Sequence, residues 1–313
     1  MTEANVTRPA PAAPAIVRPS VLKNSLKVER VSPALGAEIS NVSLVDASQD
    51  AELFAEIKAL WLKHKVLFFR DQDITPLEQQ TFAECFGELD VHRLYPGLPE
   101  APKILPIDAV ARSGIPDSDN LRSFENNWHS DTMNQPEPLM GAVLRCVTCP
   151  EVGGDTLWAN MALAYETLPE HVKQQIEGLY ARSSIEVAFC GGMPIEKRHE
   201  TAAKNPPPEH PVVRIHPETG EKILYVCMGY VTSFTNWHVA KRVQYGQDMH
   251  DRNHMLSYLA SRATIPEFQV RLRWRPNTVA VWDNRSTQHY ANFDYGAQPR
   301  RMLRAGIKGD RPV

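Results

Sequence analysis

The sequence predicts a mainly β fold with flanking helices, of the β-sandwich or jelly-roll type. From about residue 90 onward, short apolar runs alternate with turn clusters rich in Gly, Pro, Asn and Asp, a texture typical of many short strands. Two helical patterns precede these runs, so we expect those helices to pack outside the sheets. The glycines form no GxGxxG or GxxxxGK[ST] motif and there is no internal repeat, which disfavours a nucleotide-binding fold.

The bulk composition predicts one large domain with a short tail. The chain has 313 residues, a hydrophobic content of 42% and a formal net charge of −3. A chain of this length can bury a substantial core, and we expect residues 26–313 to form a single domain. Residues 2–20 are rich in Ala and Pro, so residues 1–25 are expected to be a flexible tail. The charge offers no basic surplus for nucleic acid or an anionic membrane, and neither partner is expected.

Several features favour a cytoplasmic protein. No apolar run approaches the roughly 20 residues that cross a bilayer, and the N-terminus has no secretory signal pattern. The CxxC pair at 146–149 has no second pair to complete a zinc site, so buried thiols are favoured there. An odd and sparse cysteine set fits free thiols in a reducing compartment: Cys85, Cys146, Cys149, Cys190 and Cys227.

The individual elements follow from the spacing of apolar residues. Residues 50–65 have apolar side chains at spacings of three and four, which predicts an amphipathic helix. The continuous apolar run 66–69 predicts a buried strand, and a second helix is predicted over 76–86. Helical insertions are predicted over 161–180 and 247–263. Further strands are predicted at 141–147, 211–215, 223–226 and 278–282.

Three side chains are candidate metal ligands. His129 and Asp131 lie two residues apart, and on a strand such residues project to the same face. His289, much later in the chain, would complete a set of two histidines and one carboxylate. This ligand set leaves adjacent coordination positions open and is typical of non-haem iron(II) oxygenases. The HxD pair alone is weak evidence, because any short polar segment can match it.

Two arginines follow the last candidate ligand. If residues 300–304 form a strand, the period of two places Arg300 and Arg304 on one face and Arg301 on the other. Two guanidinium groups that face the same way suit two anions, since the planar fork matches a carboxylate or sulfonate. Without the metal ligands, a solvated basic edge strand would be the simpler interpretation.

With these residues in place, the sequence resembles the taurine dioxygenase family of Fe(II)- and 2-oxoglutarate-dependent enzymes, which includes alkylsulfate and phenoxyalkanoate dioxygenases. The likeness covers nearly all of the chain from about residue 26 onward. It rests on motifs in the family's order: Phe68-Phe-Arg-Asp71, Phe86-Gly-Glu-Leu89, Trp128-His-Ser-Asp131, Gly153-Gly-Asp-Thr156, His210-Pro-Val-Val213, Val281-Trp-Asp-Asn-Arg285, Gln288-His-Tyr-Ala-Asn292 and Arg300-Arg-Met-Leu-Arg304.

The resemblance implies a double-stranded β-helix, or jelly-roll, core with iron(II) bound by the three candidate ligands. It implies O2 as oxidant and 2-oxoglutarate as co-substrate, held through its distal carboxylate by Arg300 and through a hydroxyl by Thr156. Hydroxylation is then the expected reaction, because Asp131 keeps the carboxylate that related halogenases lack. The substrate would be a small anion, with its anionic end near His92 and Arg304 and its remainder near Tyr95 and Asn127.

The sequence also departs from the taurine pattern, which leaves the substrate open. Met133 and Asn134 follow the metal ligand, Glu125 stands where taurine enzymes have an amide, and residues 227–236 replace a shorter turn. A related anionic substrate, most simply another sulfonate or a sulfate ester, is therefore favoured over taurine itself. The alternatives are a biosynthetic hydroxylase or desaturase of a carboxylated or phosphonated metabolite, a zinc-dependent jelly-roll hydrolase or isomerase, and a non-catalytic binding protein. Family members often form dimers or tetramers, so a homo-oligomer is expected.

Overall fold

The fold is known from a computed structural model, which describes residues 26–92, 95–108, 127–189, 193–240 and 248–313. The predicted tail at 1–25 and the Glu125 position lie outside these residues. The strands are β1 Lys27–Arg30, β2 Ala37–Ser40, β3 Val66–Phe69, β4 Leu105–Asp108, β5 Gly141–Thr148, β6 Thr156–Asn160, β7 Tyr180–Ser183, β8 Glu209–Pro211, β9 Val213–Ile215, β10 Lys222–Leu224, β11 Val231–Phe234, β12 Gln269–Leu272, β13 Val279–Asp283, β14 Thr287–Ala291 and β15 Arg301–Ile307.

The helices precede the main sheet or interrupt the strands. They are α1 Leu44–Ala47, α2 Ala51–His64, α3 Pro76–Glu84, α4 Met161–Glu166, α5 Glu170–Ile176, α6 Ile185–Phe189, α7 Ile195–Lys204, α8 Trp237–Ala240 and α9 Asp248–Ser261, followed by 3-10 turns at Arg262–Thr264 and Pro266–Phe268.

Two sheets form the framework of the site. The larger one has the order β1-β2-β3-β13-β5-β15-β4, and a three-stranded sheet has the order β12-β6-β14. All pairings in these two sheets are antiparallel apart from β2 with β3. Smaller sheets join β11, β7 and β8, and β10 with β9. The mainly β jelly-roll expectation is confirmed, with the early helices outside the larger sheet.

Alternation along the strands produces two separate apolar layers. Trp158 and Val270 of the small sheet pack between the sheets against Leu144, Trp282 and other residues of the large sheet. The opposite face of the large sheet packs against α2 and α3. On β15, Met302 belongs to the layer between the two sheets (the inner layer) and Leu303 to the layer against the helices (the outer layer). Because side chains alternate along a strand, Arg304 follows on the inner side.

Local signals explain where the early helices begin and end. The Asp50 carboxylate accepts hydrogen bonds from two backbone N–H groups of the first turn of α2, and Lys65 ends this helix in the left-handed region, with φ of 65°. A reciprocal capping box of Thr75 and Glu78 begins α3. These ends agree with the sequence prediction to within a residue or two.

Three predicted elements differ in the structure. Residues 161–180 form two short helices, and β7 already begins at Tyr180. The single strand predicted at 211–215 is divided, because β8 pairs with β7 whereas β9 pairs with β10. The segment around His129 is no regular strand: it forms one isolated bridge, after which Thr132 adopts a φ of 55°. A positive φ at a β-branched residue ends extended pairing there.

Buried charges fix the turn between β13 and β14. The Asp283 carboxylate accepts hydrogen bonds from His216 Nε2 at 2.9 Å and from Arg285 Nη2 at 2.7 Å. Arg285 also donates to Glu218 at 2.9 Å. Burial alone would raise the pKa of Asp283, but the His216 hydrogen bond and the Arg285 charge outweigh it and hold that pKa well below its usual range. This turn carries the chain into the strand that bears His289.

Candidate metal centre and co-substrate pocket

The backbone brings the two candidate histidines together. His129 and His289 form an antiparallel bridge in which each N–H donates to the other's carbonyl, at 3.0 and 2.8 Å. Residues that face each other in such a bridge have neighbouring side chains. The centroids of the two imidazole rings are 4.1 Å apart, and both residues are buried.

Asp131 completes the cluster. Its Oδ1 lies 3.9 Å from His129 Nε2 and 3.8 Å from His289 Nε2. One ligand atom from each of the three residues lies within 4.8 Å of the others, a spacing that permits all three to bind one ion. His129 Nδ1 is 2.7 Å from the Asn127 carbonyl, so Nδ1 carries the proton and Nε2 presents its lone pair to the cluster. Imidazole and carboxylate donors with an open side suit a divalent transition metal.

The charges of the cluster favour the ligand forms of these side chains. Burial would raise the pKa of Asp131, but the Arg304 charge and the two histidines outweigh it and lower that pKa to about 2. Arg304 Nη2 lies 2.7 Å from Asp131 Oδ2. Burial, followed by the charge of His129, lowers the pKa of His289 to about 3. At neutral pH the carboxylate is therefore ionised and the His289 imidazole neutral, as metal binding requires.

Arg300 and Thr156, the candidate co-substrate residues, are both buried. Arg300 is 7% exposed, and its Nε makes no hydrogen bond within the described part of the chain. Its guanidinium carbon lies 6.0 Å from the centre of the Tyr295 ring. The buried Thr156 hydroxyl accepts a hydrogen bond from Trp274 Nε1 at 2.9 Å, which leaves its own hydrogen available to an anion. A buried cation with an unused donor and a buried hydroxyl with a free hydrogen are each suited to bind a carboxylate.

The candidate substrate residues are placed differently from one another. His92 and Arg304 line one pocket together with Asp90 and Lys103. Burial and the Arg304 charge lower the pKa of His92. Tyr95 is 58% exposed and stacks on the His92 ring with centroids 5.2 Å apart. The exposed Asn127 contacts the site through its backbone carbonyl, which holds His129.

Some residues around the site were not singled out in the sequence. Trp274 orients the Thr156 hydroxyl. The buried Tyr230 phenol lies near Asp131, and its pKa is raised mainly by burial and further by the negative charge of Asp131. Asn284 binds the backbone of Asp131. Tyr230 belongs to segment 227–236, and the departure of this segment from the taurine pattern was the one sequence feature that could have pointed to a residue of the site there. Asn284 lies within a motif that was noted, but its partner could not be derived from local spacing.

The fold and the His-Asp-His cluster define a class of enzyme, the 2-oxoglutarate-dependent dioxygenases built on a jelly roll. Residues 27–305 match the family model described as "Taurine catabolism dioxygenase TauD, TfdA family". The chain belongs to this family, and it is a 2-oxoglutarate-dependent dioxygenase. In the part of the chain that the structure describes, none of the helices is both long and apolar enough to span a membrane.

The comparisons extend over most of the chain. It is 34% identical over 296 residues to an alpha-ketoglutarate-dependent sulfate ester dioxygenase of Pseudomonas putida, covering 92% of this chain and 91% of the relative. It is 35% identical over 301 residues to an alkylsulfatase of Acinetobacter baylyi, covering 91% and 86%. A crystal structure of a taurine dioxygenase from Burkholderia xenovorans superposes with a TM-score of 0.74 at 31% identity, covering 93% of both chains.

Proposed function

We propose that the protein is an Fe(II)- and 2-oxoglutarate-dependent dioxygenase that hydroxylates a sulfate ester or sulfonate at the carbon beside its anionic group. The observation that carries the proposal is the convergence of His129, Asp131 and His289 within 4.8 Å, with Arg304 2.7 Å from Asp131. Two relatives of at least 34% identity are named for sulfate esters or alkyl sulfates, which supports this substrate class.

In this proposal each side chain has a separate task. The three ligands hold iron, and the distal carboxylate of 2-oxoglutarate pairs with Arg300 and accepts a hydrogen bond from Thr156. The buried surroundings of Arg300 exclude water, which strengthens the ion pair. Arg304 and His92 line the pocket for the anionic end of the substrate, so that the adjacent C–H bond is held toward the metal side of the site.

The bound iron and 2-oxoglutarate supply the oxidising power, and the protein supplies position and exclusion of water. One oxygen atom of O2 leaves in succinate, with CO2 released, and the other enters the substrate C–H bond as a hydroxyl. A carbon that bears both a hydroxyl and a sulfate group then releases sulfate and becomes an aldehyde. A hydroxylated sulfonate releases sulfite in the same way.

The experiment measures O2 consumption, succinate, aldehyde and released sulfate or sulfite with a panel of alkyl sulfates, alkanesulfonates and carboxylates. The expected result is equal amounts of succinate, aldehyde and sulfate or sulfite, none of which form without Fe(II), 2-oxoglutarate or O2. Sulfate release without O2, with an alcohol as product, would instead indicate a metal-dependent hydrolase. Turnover of carboxylates alone would assign the enzyme to biosynthetic hydroxylation.

A further inference from the structure

The three candidate ligands are held in position by two different sets of hydrogen bonds. The histidines hold each other through the two backbone hydrogen bonds of their bridge. Asp131 lies beyond that bridge and outside the named strands. Its backbone N–H and carbonyl therefore need other partners if the carboxylate is to keep its direction.

Those partners come from one amide side chain. Asn284 Oδ1 accepts the hydrogen bond of the Asp131 N–H at 2.8 Å, and Asn284 Nδ2 donates to the Asp131 carbonyl at 3.0 Å. The same Nδ2 donates to the Leu139 carbonyl at 2.8 Å. Asn284 is fully buried, and its own N–H donates to the Met140 carbonyl at 2.9 Å. One amide thus fixes both backbone groups of Asp131 and joins them to the start of β5.

The residue after Asp131 completes this arrangement. Thr132 has a φ of 55°, a conformation that β-branched residues rarely adopt. Its Oγ1 accepts a hydrogen bond from the Leu139 N–H at 2.9 Å, so Leu139 is bound on one side by Thr132 and on the other by Asn284. A strained conformation persists only where surrounding contacts determine it. The turn that aims the Asp131 carboxylate is therefore held on both sides.

The position of Asn284 is itself fixed. It follows Asp283, whose carboxylate is bound by His216 and Arg285, and it precedes the first residue of β14 by three residues. The same turn thus positions the strand that carries His289 and the amide that holds Asp131. The geometry of the carboxylate relative to the second histidine depends on this single turn.

We propose that Asn284 is a positioning residue that sets the direction of the metal-binding carboxylate of Asp131. This inference rests on the proposed function, because it assumes that Asp131 binds a divalent metal. Asn284 does not contact the metal position itself, and it acts through the backbone of Asp131. Outer hydrogen-bond partners of metal ligands typically contribute about 10- to 100-fold to metal affinity.

The chain offers a matched control for this amide. The Gln72 side chain accepts a hydrogen bond from the Leu44 N–H at 3.0 Å and donates to the Val42 and Arg70 carbonyls at 3.1 and 3.0 Å. It is buried, as Asn284 is, and has the same number and kind of side-chain bonds, but it lies beside α1. Gln72→Ala therefore removes an equivalent set of bonds without touching Asp131.

The test measures the dissociation constant of Co(II) from metal-free protein by anaerobic titration, together with the visible spectrum of the cobalt form. Asn284→Ala should weaken Co(II) binding about 10- to 100-fold and change the spectrum, because the carboxylate loses its fixed direction. Gln72→Ala should lower the unfolding temperature but leave the Co(II) affinity and the spectrum as in wild type. Equal affinity and an unchanged spectrum in folded Asn284→Ala would overturn the inference.

A second variant covers the case in which Asn284→Ala does not fold. Asn284→Asp keeps the size of the side chain and an acceptor for the Asp131 N–H but loses the two donated bonds, so it should weaken Co(II) binding about threefold to tenfold. An unchanged affinity in this variant would also contradict the inference. Failure of the metal assignment gives a different result, since wild type and His129→Ala would then bind Co(II) equally. Failure of the proposed function alone is also distinguishable, because a metal-dependent hydrolase on the same three ligands would keep the cobalt result but release sulfate without O2.

Discussion

Replacing Arg300 by alanine tests the assignment of the co-substrate pocket. Arg300 is 7% exposed, and its Nε makes no hydrogen bond within the described residues, so a bound carboxylate would supply a partner that the described chain does not. We expect Arg300→Ala to weaken 2-oxoglutarate binding while the metal ligands stay in place. The variant should therefore bind Fe(II) or Co(II) with wild-type affinity.

The size of the effect follows from the burial of this guanidinium. A charge-assisted hydrogen bond in a dry pocket contributes about 1.5–3 kcal/mol. At about 1.4 kcal/mol per decade, this corresponds to a loss of roughly 10- to 150-fold in affinity. A two-pronged pair between the fork and the carboxylate would place the result toward the upper end.

The assay is calorimetric titration of 2-oxoglutarate into anaerobic Co(II)-loaded protein, with the KM for 2-oxoglutarate from succinate formation as a second readout. Arg301→Ala is the matched control, because Arg301 is the next residue but is 46% exposed at its side chain and pairs with Asp108 at 3.6 Å. This control should keep wild-type affinity. Unchanged 2-oxoglutarate affinity in Arg300→Ala, or an equal loss in Arg301→Ala, would refute the reasoning.

The remaining predictions concern the metal, the Thr156 hydroxyl and the buried ion pairs. His129→Ala should abolish turnover and retain no iron after gel filtration; full iron content would contradict the ligand assignment. Trp274→Phe should raise the KM for 2-oxoglutarate about threefold to tenfold with little change in kcat, because the Thr156 hydroxyl loses its orienting donor; an unchanged KM would count against this role. Asp283→Asn should lower the free energy of unfolding in urea by about 3–5 kcal/mol, since buried Arg285 loses a carboxylate partner. In wild type, folding lowers the Asp283 pKa, so the ionised carboxylate stabilises the folded protein fully above its unfolded-state pKa of about 3.9, and this stabilisation is lost as pH falls further. Asp283→Asn should lack this part of the acid dependence, and an acid dependence equal to that of wild type would refute the assignment.

Short-range patterns predicted much of the fold. The period of two separated Arg304 from Arg301 and Leu303, and the structure has Arg301 exposed, Leu303 in the layer against the helices and Arg304 in contact with Asp131. The strand itself begins at Arg301 and its pairing shifts between Arg301 and Met302, so the face of Arg300 stays a prediction. The spacing of apolar residues located α2 and α3 because these helices bury one face against the large sheet. Such features are set by neighbours in sequence, so a single sequence contains them.

Features that depend on distant contacts could not be derived in this way. The bond from the Asp131 N–H to Asn284 spans 153 residues, and the bond from Trp274 to Thr156 spans 118. The division of residues 211–215 between β8 and β9 depends on which strands lie alongside. The strand assumed at His129 is reduced to one bridge because the turn at Thr132, held by Leu139, ends the pairing, although His129 and Asp131 still converge.

The most direct test of the central claim is anaerobic addition of 2-oxoglutarate to Fe(II)-loaded protein, followed in the visible range. Wild type should give a charge-transfer band at one iron per chain that shifts when an alkyl sulfate is added. His129→Ala should give no band, and Arg300→Ala should give it only at much higher 2-oxoglutarate. A wild-type protein that forms no band, or a band unaffected by His129→Ala, would contradict the account.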